Sequence, residues 1–196
     1  YWAYADWVMG MKLTERMVRA IADRTWGTRQ FTLLSGHQID LGADGEDWPR
    51  ISFVEVIRDH YGIDVFNCSL QEVQAQLKEH KIEVEKSDNI ARGIDKLWKK
   101  VRTTLPGPAF LVDIPTFLQP LAKTQPDRPE LTEQFNLILG GTEACKAYSE
   151  LNDPVDQLDR FKQQQAMRDA GDDEAQMLDI DYVEALEYAM PPACGL

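Results

Sequence analysis

The order of residues in 135–151 is the strongest constraint on this chain. A near-continuous apolar run at 135–139 is followed by Gly140-Gly141, and then by residues 142–151, whose side chains alternate between two faces. That order specifies two antiparallel strands joined by a tight turn. A second apolar run at 109–114, ended by Pro115, has the character of a strand covered on both faces.

The remaining elements follow from periodicity and punctuation. A short strand at 1–5 precedes an amphipathic helix over residues 6 to about 25, with Leu13, Met17, Ala20 and Ile21 on one face. Residues 30–34 and 38–41, separated by Ser35-Gly36-His37, form a hairpin pattern. Ser52 with Glu55, and Ser69 with Glu72, have capping-box spacing and announce two helices. Ile90, Ile94, Leu97, Trp98 and Val101 define a longer one, with Lys99, Lys100 and Arg102 near its C-terminus where the dipole favours cations. Pro106-Gly107-Pro108 stops it. Pro154 opens a polar helix to about Ala170, and Asp181 with Glu184 caps a last one, carrying Val183, Leu186 and Met190, that Pro191-Pro192 closes. Helices flanking hairpin-connected strands predict an α+β fold around an antiparallel sheet.

A chain of 196 residues, 43% hydrophobic and 28% charged, can bury one substantial core, so a single domain or part of one is expected. It opens on Tyr1 and contains no signal-like segment and no apolar run of membrane-spanning length, which makes a cytoplasmic protein the expectation. Cys68, Cys145 and Cys194 are odd in number, far apart and in no CxxC pair, which suggests neither a disulfide framework nor a zinc site; they are read as reduced, structural residues. Of the net charge of -12, a large share lies in residues 153–187, where 11 acidic side chains face 3 basic ones. Such a surface repels phosphate backbones and is no nucleic-acid grip by itself.

On a strand of period two, Lys146, Tyr148 and Glu150 share one face. Two readings are open. The set forms a pocket for a primary ammonium, with Glu150 as the opposite charge and Tyr148 as a cation-π wall; or it is an edge strand with solvated charges. Glu143 has the opposite parity and joins the same cavity only if a bulge intervenes. His37, His60 and His80 are scattered, and no Walker loop, GxGxxG or GxSxG is present. The run Asp172-Asp173-Glu174 lacks calcium-loop spacing and is read as a solvated helix start; the tryptophans are read as core or interface residues.

From Gly140 to Pro154 the string GGTEACKAYSELNDP resembles the amino-acid pocket of class II lysyl-tRNA synthetases. The likeness extends both ways, through the opening YWAYAD, IEVEKS at 82–87, PLAK at 120–123, GDDEA at 171–175, DYVEALEYAMPP at 181–192 and the terminal Gly195-Leu196, and so covers nearly the whole chain. It implies part of an antiparallel class II catalytic domain, over residues 1–196, lying between that family's second and third signature motifs. The implied reaction is ATP-dependent activation of lysine to lysyl-adenylate with Mg2+ assistance, then transfer to tRNA(Lys), in a cytoplasmic homodimer. The resemblance makes Glu150 the partner of the substrate's ε-ammonium, Tyr148 a wall of that pocket, Tyr1 a tyrosine reaching the same ligand, and Glu143 a magnesium and ATP ligand.

Three positions depart from the family pattern. Asn136 stands where a second acidic metal ligand is common, Lys146 where the lysine pocket usually has asparagine, and Thr142 where arginine is frequent. An amide oxygen at Asn136 can still ligate magnesium, but without charge. Lys146 could repel a substrate ammonium or meet a carboxylate or phosphate. The resemblance places the ATP-binding arginines, the anticodon-binding barrel and the first motif outside these residues, so the isolated piece is expected to be inactive. Two other functions are compatible: a paralogue that lysylates a translation factor, and a non-catalytic amino-acid-binding relative.

Overall fold

The computed structural model describes residues 1–85, 88–172 and 175–195. Its strands are β1 (Trp2–Ala3), β2 (Gln30–Thr32), β3 (Gln38–Asp40), β4 (Arg50–Ser52), β5 (Ala109–Val112), β6 (Thr124–Gln125), β7 (Arg128–Thr132), β8 (Gln134–Leu139), β9 (Thr142–Ser149) and β10 (Ala193–Gly195). The helices are α1 (Trp7–Trp26), α2 (Phe53–Tyr61), α3 (Leu70–Glu79), α4 (Ile90–Val101), α5 (Pro154–Asp169) and α6 (Ile180–Glu187). The main sheet runs β1-β10-β9-β8-β5-β4 and is antiparallel except for the β4–β5 pair, which is parallel. That parallel edge, reached through α2, α3 and α4, is the one departure from the all-antiparallel expectation; the class is α+β.

Strand alternation divides two cores between the faces of the sheet. Phe110, Val112, Phe135, Leu137, Ala147 and Cys194 pack with α1 residues and the β2–β3 hairpin on one face. Leu111 and Ile138 pack on the other with Ile57, Leu77, Ile94, Leu97 and Trp98 from α2, α3 and α4. Gln134 and Asn136 share the parity of Ile138, so two buried polar side chains point to the face that carries α4.

The helix signals resolve unevenly. Ser69 and Glu72 make the reciprocal capping box, whereas Ser52 only accepts from the Glu55 amide. The cap of α6 is Asp179, whose carboxylate accepts from the Tyr182 amide at 2.9 Å; the expected cap, Asp181, instead places a favourable negative charge in the first turn. In α1 the expected apolar face is turned outward: Leu13, Met17 and Ile21 are exposed, while the buried face carries Gly10, Met11, Thr14, Glu15, Arg19 and Ala22. Polar anchoring decides the orientation. Glu15 accepts from the Trp48 amide, Arg19 donates to the Leu41 and Glu46 carbonyls, and Gly10 lets the helix approach Phe135 and Cys194 closely. Trp48 and Trp98 are core residues; Trp2 and Trp26 are exposed. The three cysteines are free thiols. Among the described residues no helix is long and apolar enough to cross a membrane.

Candidate functional site

The site is built on the β8–β9 hairpin. Gly140 and Gly141 turn it with φ of 62° and 76°, left-handed values that favour glycine. Cross-strand pairs run Gln134 with Tyr148, Asn136 with Lys146 and Leu137 with Cys145, but Ile138 pairs with Glu143. Ala144 is thus the extra residue of a bulge, and the bulge brings Glu143 to the parity of Lys146 and Tyr148.

Two cavities open on this face, with Tyr148 in the wall of both. The first, of about 490 Å³, is lined by Asn136, Glu143 and Lys146 from the hairpin and by Arg92 and Trp98 from α4. The second, of about 610 Å³, is lined by Tyr1, Glu150, Phe161 and Tyr182. Lys146 lines the first and Glu150 the second, and the two share Leu121, Tyr148 and Gln176 as walls.

In the second cavity Glu150 is 6% exposed, and among the described residues its carboxylate takes no hydrogen bond or ion pair. Burial pushes its pKa up. Burial foremost, then the charge of Glu150, pushes the Tyr148 hydroxyl to about 12, and the same two causes raise Tyr182. A buried carboxylate beside aromatic rings is suited to a cation with several N–H donors. Gly195 in β10 completes the wall, because a Cβ there would lie 2.5 Å from Glu150 Oε1 and 3.0 Å from Tyr1 Cε1.

In the first cavity Glu143 is held on two sides. The Trp98 indole N–H donates to one carboxylate oxygen, and Arg102 Nη1 lies 3.4 Å from the other. Asn136 is buried, and its Oδ1 accepts from Gln134 Nε2 at 2.9 Å. Among the described residues no three His, Cys, Asp or Glu side chains converge on a metal position. One carboxylate and one amide oxygen nevertheless suit Mg2+, which takes few protein ligands and completes its shell with phosphate oxygens and water.

Several residues here carried no site signal. Trp98 and Arg102 have the pattern of a helix core and a C-terminal cation, Gln134 that of a strand residue, and Tyr182 that of an exposed first turn. Asp172 corrects an expectation: it is a half-buried residue tied to α4, accepting from Asn89 Nδ2 at 2.9 Å and lying 3.5 Å from Arg92 Nε. Asp173 and Glu174 of the same run, Lys86 and Ser87 of the IEVEKS string, and Leu196 lie outside the described residues.

Comparison with known proteins identifies the family. A family profile for tRNA synthetases class II (D, K and N) matches residues 1–196. The chain is 42% identical over 196 residues to the lysine–tRNA ligase of Thermosipho melanesiensis and 42% identical to that of Thermotoga maritima, in each case over all of this chain and 38% of the relative. It is 40% identical to the lysine–tRNA ligase of Bacillus subtilis over 199 aligned residues, covering 39% of that protein. The chain thus spans about two fifths of the length of these curated relatives. With a profile matched from end to end on an α+β fold whose one polar face opens into two cavities, the chain belongs to the class II tRNA synthetases of the D, K and N group.

Proposed function

We propose that this chain forms part of the catalytic domain of a cytoplasmic, homodimeric lysine–tRNA ligase. The observation that carries the reading is Glu150, a buried carboxylate without a protein partner among the described residues, enclosed by Tyr148, Tyr182 and the exposed Tyr1. Lysine's ε-ammonium supplies the missing positive charge and donors. Relatives named lysine–tRNA ligase support the same substrate.

In this reading the second cavity holds the lysine side chain and the first, beyond Tyr148, the phosphates of ATP. A lysine carboxylate oxygen attacks the α-phosphorus and pyrophosphate leaves; the terminal ribose hydroxyl of tRNA(Lys) then attacks the adenylate carbonyl and AMP leaves. Glu150 fixes one end of the substrate, Tyr148 and Tyr1 restrict its path, and the wall at Gly195 keeps the carboxylate's position. Positioning of this kind converts an encounter of two substrates into an effectively unimolecular step. Glu143 and Asn136 would hold Mg2+ together with phosphate oxygens, and the ion supplies charge neutralisation during phosphoryl transfer.

The test is lysine-dependent exchange of pyrophosphate into ATP by the full-length protein and its Glu150→Gln variant. Exchange that requires lysine and collapses in the variant is expected. No exchange with lysine, in a protein whose melting transition shows it to be folded, would overturn the reading.

A further inference from the structure

The charged groups lining the first cavity are not equivalent. Asp95 pairs with Lys99 at 2.6 Å, Glu143 with Arg102 at 3.4 Å and Asp172 with Arg92 at 3.5 Å. Lys146 projects from the middle of β9, directly across from Asn136, and its ammonium has no hydrogen bond or ion pair among the described residues. Its cross-strand partner, Asn136, is a neutral amide and does not neutralise it. The hairpin therefore presents one uncompensated positive charge to a cavity whose carboxylates, among the described residues, all have cations beside them.

We infer that Lys146 is an anion-binding residue that contacts a phosphate group of the nucleotide, placing a fixed positive charge where Asn136 contributes none. The inference rests on the reading of the first cavity as the nucleotide site. One feature favours phosphate over the substrate carboxylate: Lys146 lines the same cavity as Glu143 and Asn136, the residues suited to a phosphate-bound Mg2+. A flexible ammonium is a point charge that follows a phosphate oxygen through small rearrangements, as a lysine does in other phosphate sites.

The experiment is equilibrium binding of ATP, adenosine and lysine, each alone, to the full-length protein and its Lys146→Gln and Lys146→Arg variants. Loss of a charge-assisted hydrogen bond is expected to weaken ATP about tenfold or more in Lys146→Gln. Adenosine and lysine binding are expected to be unchanged, and Lys146→Arg to retain most of the ATP affinity. Lys146 is exposed, so both variants should melt with the wild-type protein. Equal weakening of ATP and adenosine, loss confined to lysine, or no change would each overturn the inference while leaving the nucleotide site in place. A wild-type protein that binds lysine but neither ATP nor adenosine would overturn the reading of the cavity, and the role of Lys146 with it.

Discussion

Gly195 sits against Glu150 so closely that a methyl group at its α-carbon would stand 2.5 Å from the carboxylate oxygen Oε1. Its φ is not in the left-handed region, so the demand for glycine here is one of space. Tyr1, the other neighbour, is fully exposed and can move aside freely, whereas the enclosed Glu150 yields only by shifting its carboxylate within the cavity. Gly195→Ala is expected to raise the KM for lysine at least about tenfold through displacement of the carboxylate, with the KM for ATP changed little. Steady-state pyrophosphate exchange with each substrate varied in turn checks this; equal effects on both would mean general damage to the sheet edge.

Glu150 also makes the ligand-free protein sensitive to pH. Its folded-state pKa is raised by burial, so the folded protein holds the proton more tightly than the unfolded chain. The associated stability is fully present below about pH 4.5, the ordinary value of the carboxyl, and is lost as pH rises through the folded value. Glu150→Gln is therefore expected to melt higher than wild type at pH 7.5, by a margin that shrinks as pH falls towards 5. Lysine binding has the opposite dependence, because the ammonium needs the ionised carboxylate: wild-type affinity falls with falling pH. The Glu150→Gln variant lacks that charge at every pH, and its lysine binding is expected to be weaker about a hundredfold or more. Thermal melts across pH, paired with lysine titrations, check both signs.

Which parts of this were legible in the sequence depends on the range of the interactions involved. The β8–β9 hairpin was readable because apolar run, glycine pair and alternation are all local, and the parity of Glu143 made its joining the cavity conditional on a bulge. The position of that bulge, at Ala144, depends on pairing with β8 and has no local signal. The outward face of α1 was misread for a related reason: helical periodicity marks Leu13, Met17 and Ile21 as alike, but the bonds of Glu15 and Arg19 to residues 41–48 decide which side is buried. That Lys146 and Glu150 line two adjoining cavities depends on α4, α5 and the 176–182 segment closing over β9, which no local signal gives.

Ser69 offers a stability test remote from both cavities. Its hydroxyl accepts from the Glu72 amide, and the Glu72 carboxylate accepts from the Ser69 amide at 2.7 Å, so one substitution opens the box at the start of α3. Helix α3 in turn places Val73 and Leu77 in the core beneath α4. Ser69→Ala is expected to cost about 1 kcal/mol, which lowers the melting temperature by about 3 °C for a domain of this size. Exchange kinetics should be unaffected well below the transition; a change in KM would show that α3 is coupled to the cavities.

Glu143 can be divided into charge and position by two substitutions. Glu143→Gln keeps an oxygen for the Trp98 indole and removes the charge facing Arg102 and any bound cation. Because that ion pair is partly exposed, the stability change is expected to stay within about 1 kcal/mol. The Mg2+ concentration needed for half-maximal exchange is expected to rise about tenfold or more, since a neutral amide oxygen is a weaker ligand than a carboxylate. Trp98→Phe does the reverse: the charge remains, the donor is lost, and a buried side chain shrinks, at a cost of about 1 to 3 kcal/mol. Its Mg2+ requirement is expected to shift less than that of Glu143→Gln, because the carboxylate is still present but no longer oriented. Magnesium titrations of the exchange rate, read beside thermal melts, separate the two. Equal magnesium shifts in both variants would show that orientation of the carboxylate by Trp98 matters as much as its charge, and no shift in Glu143→Gln would remove Glu143 from the metal site.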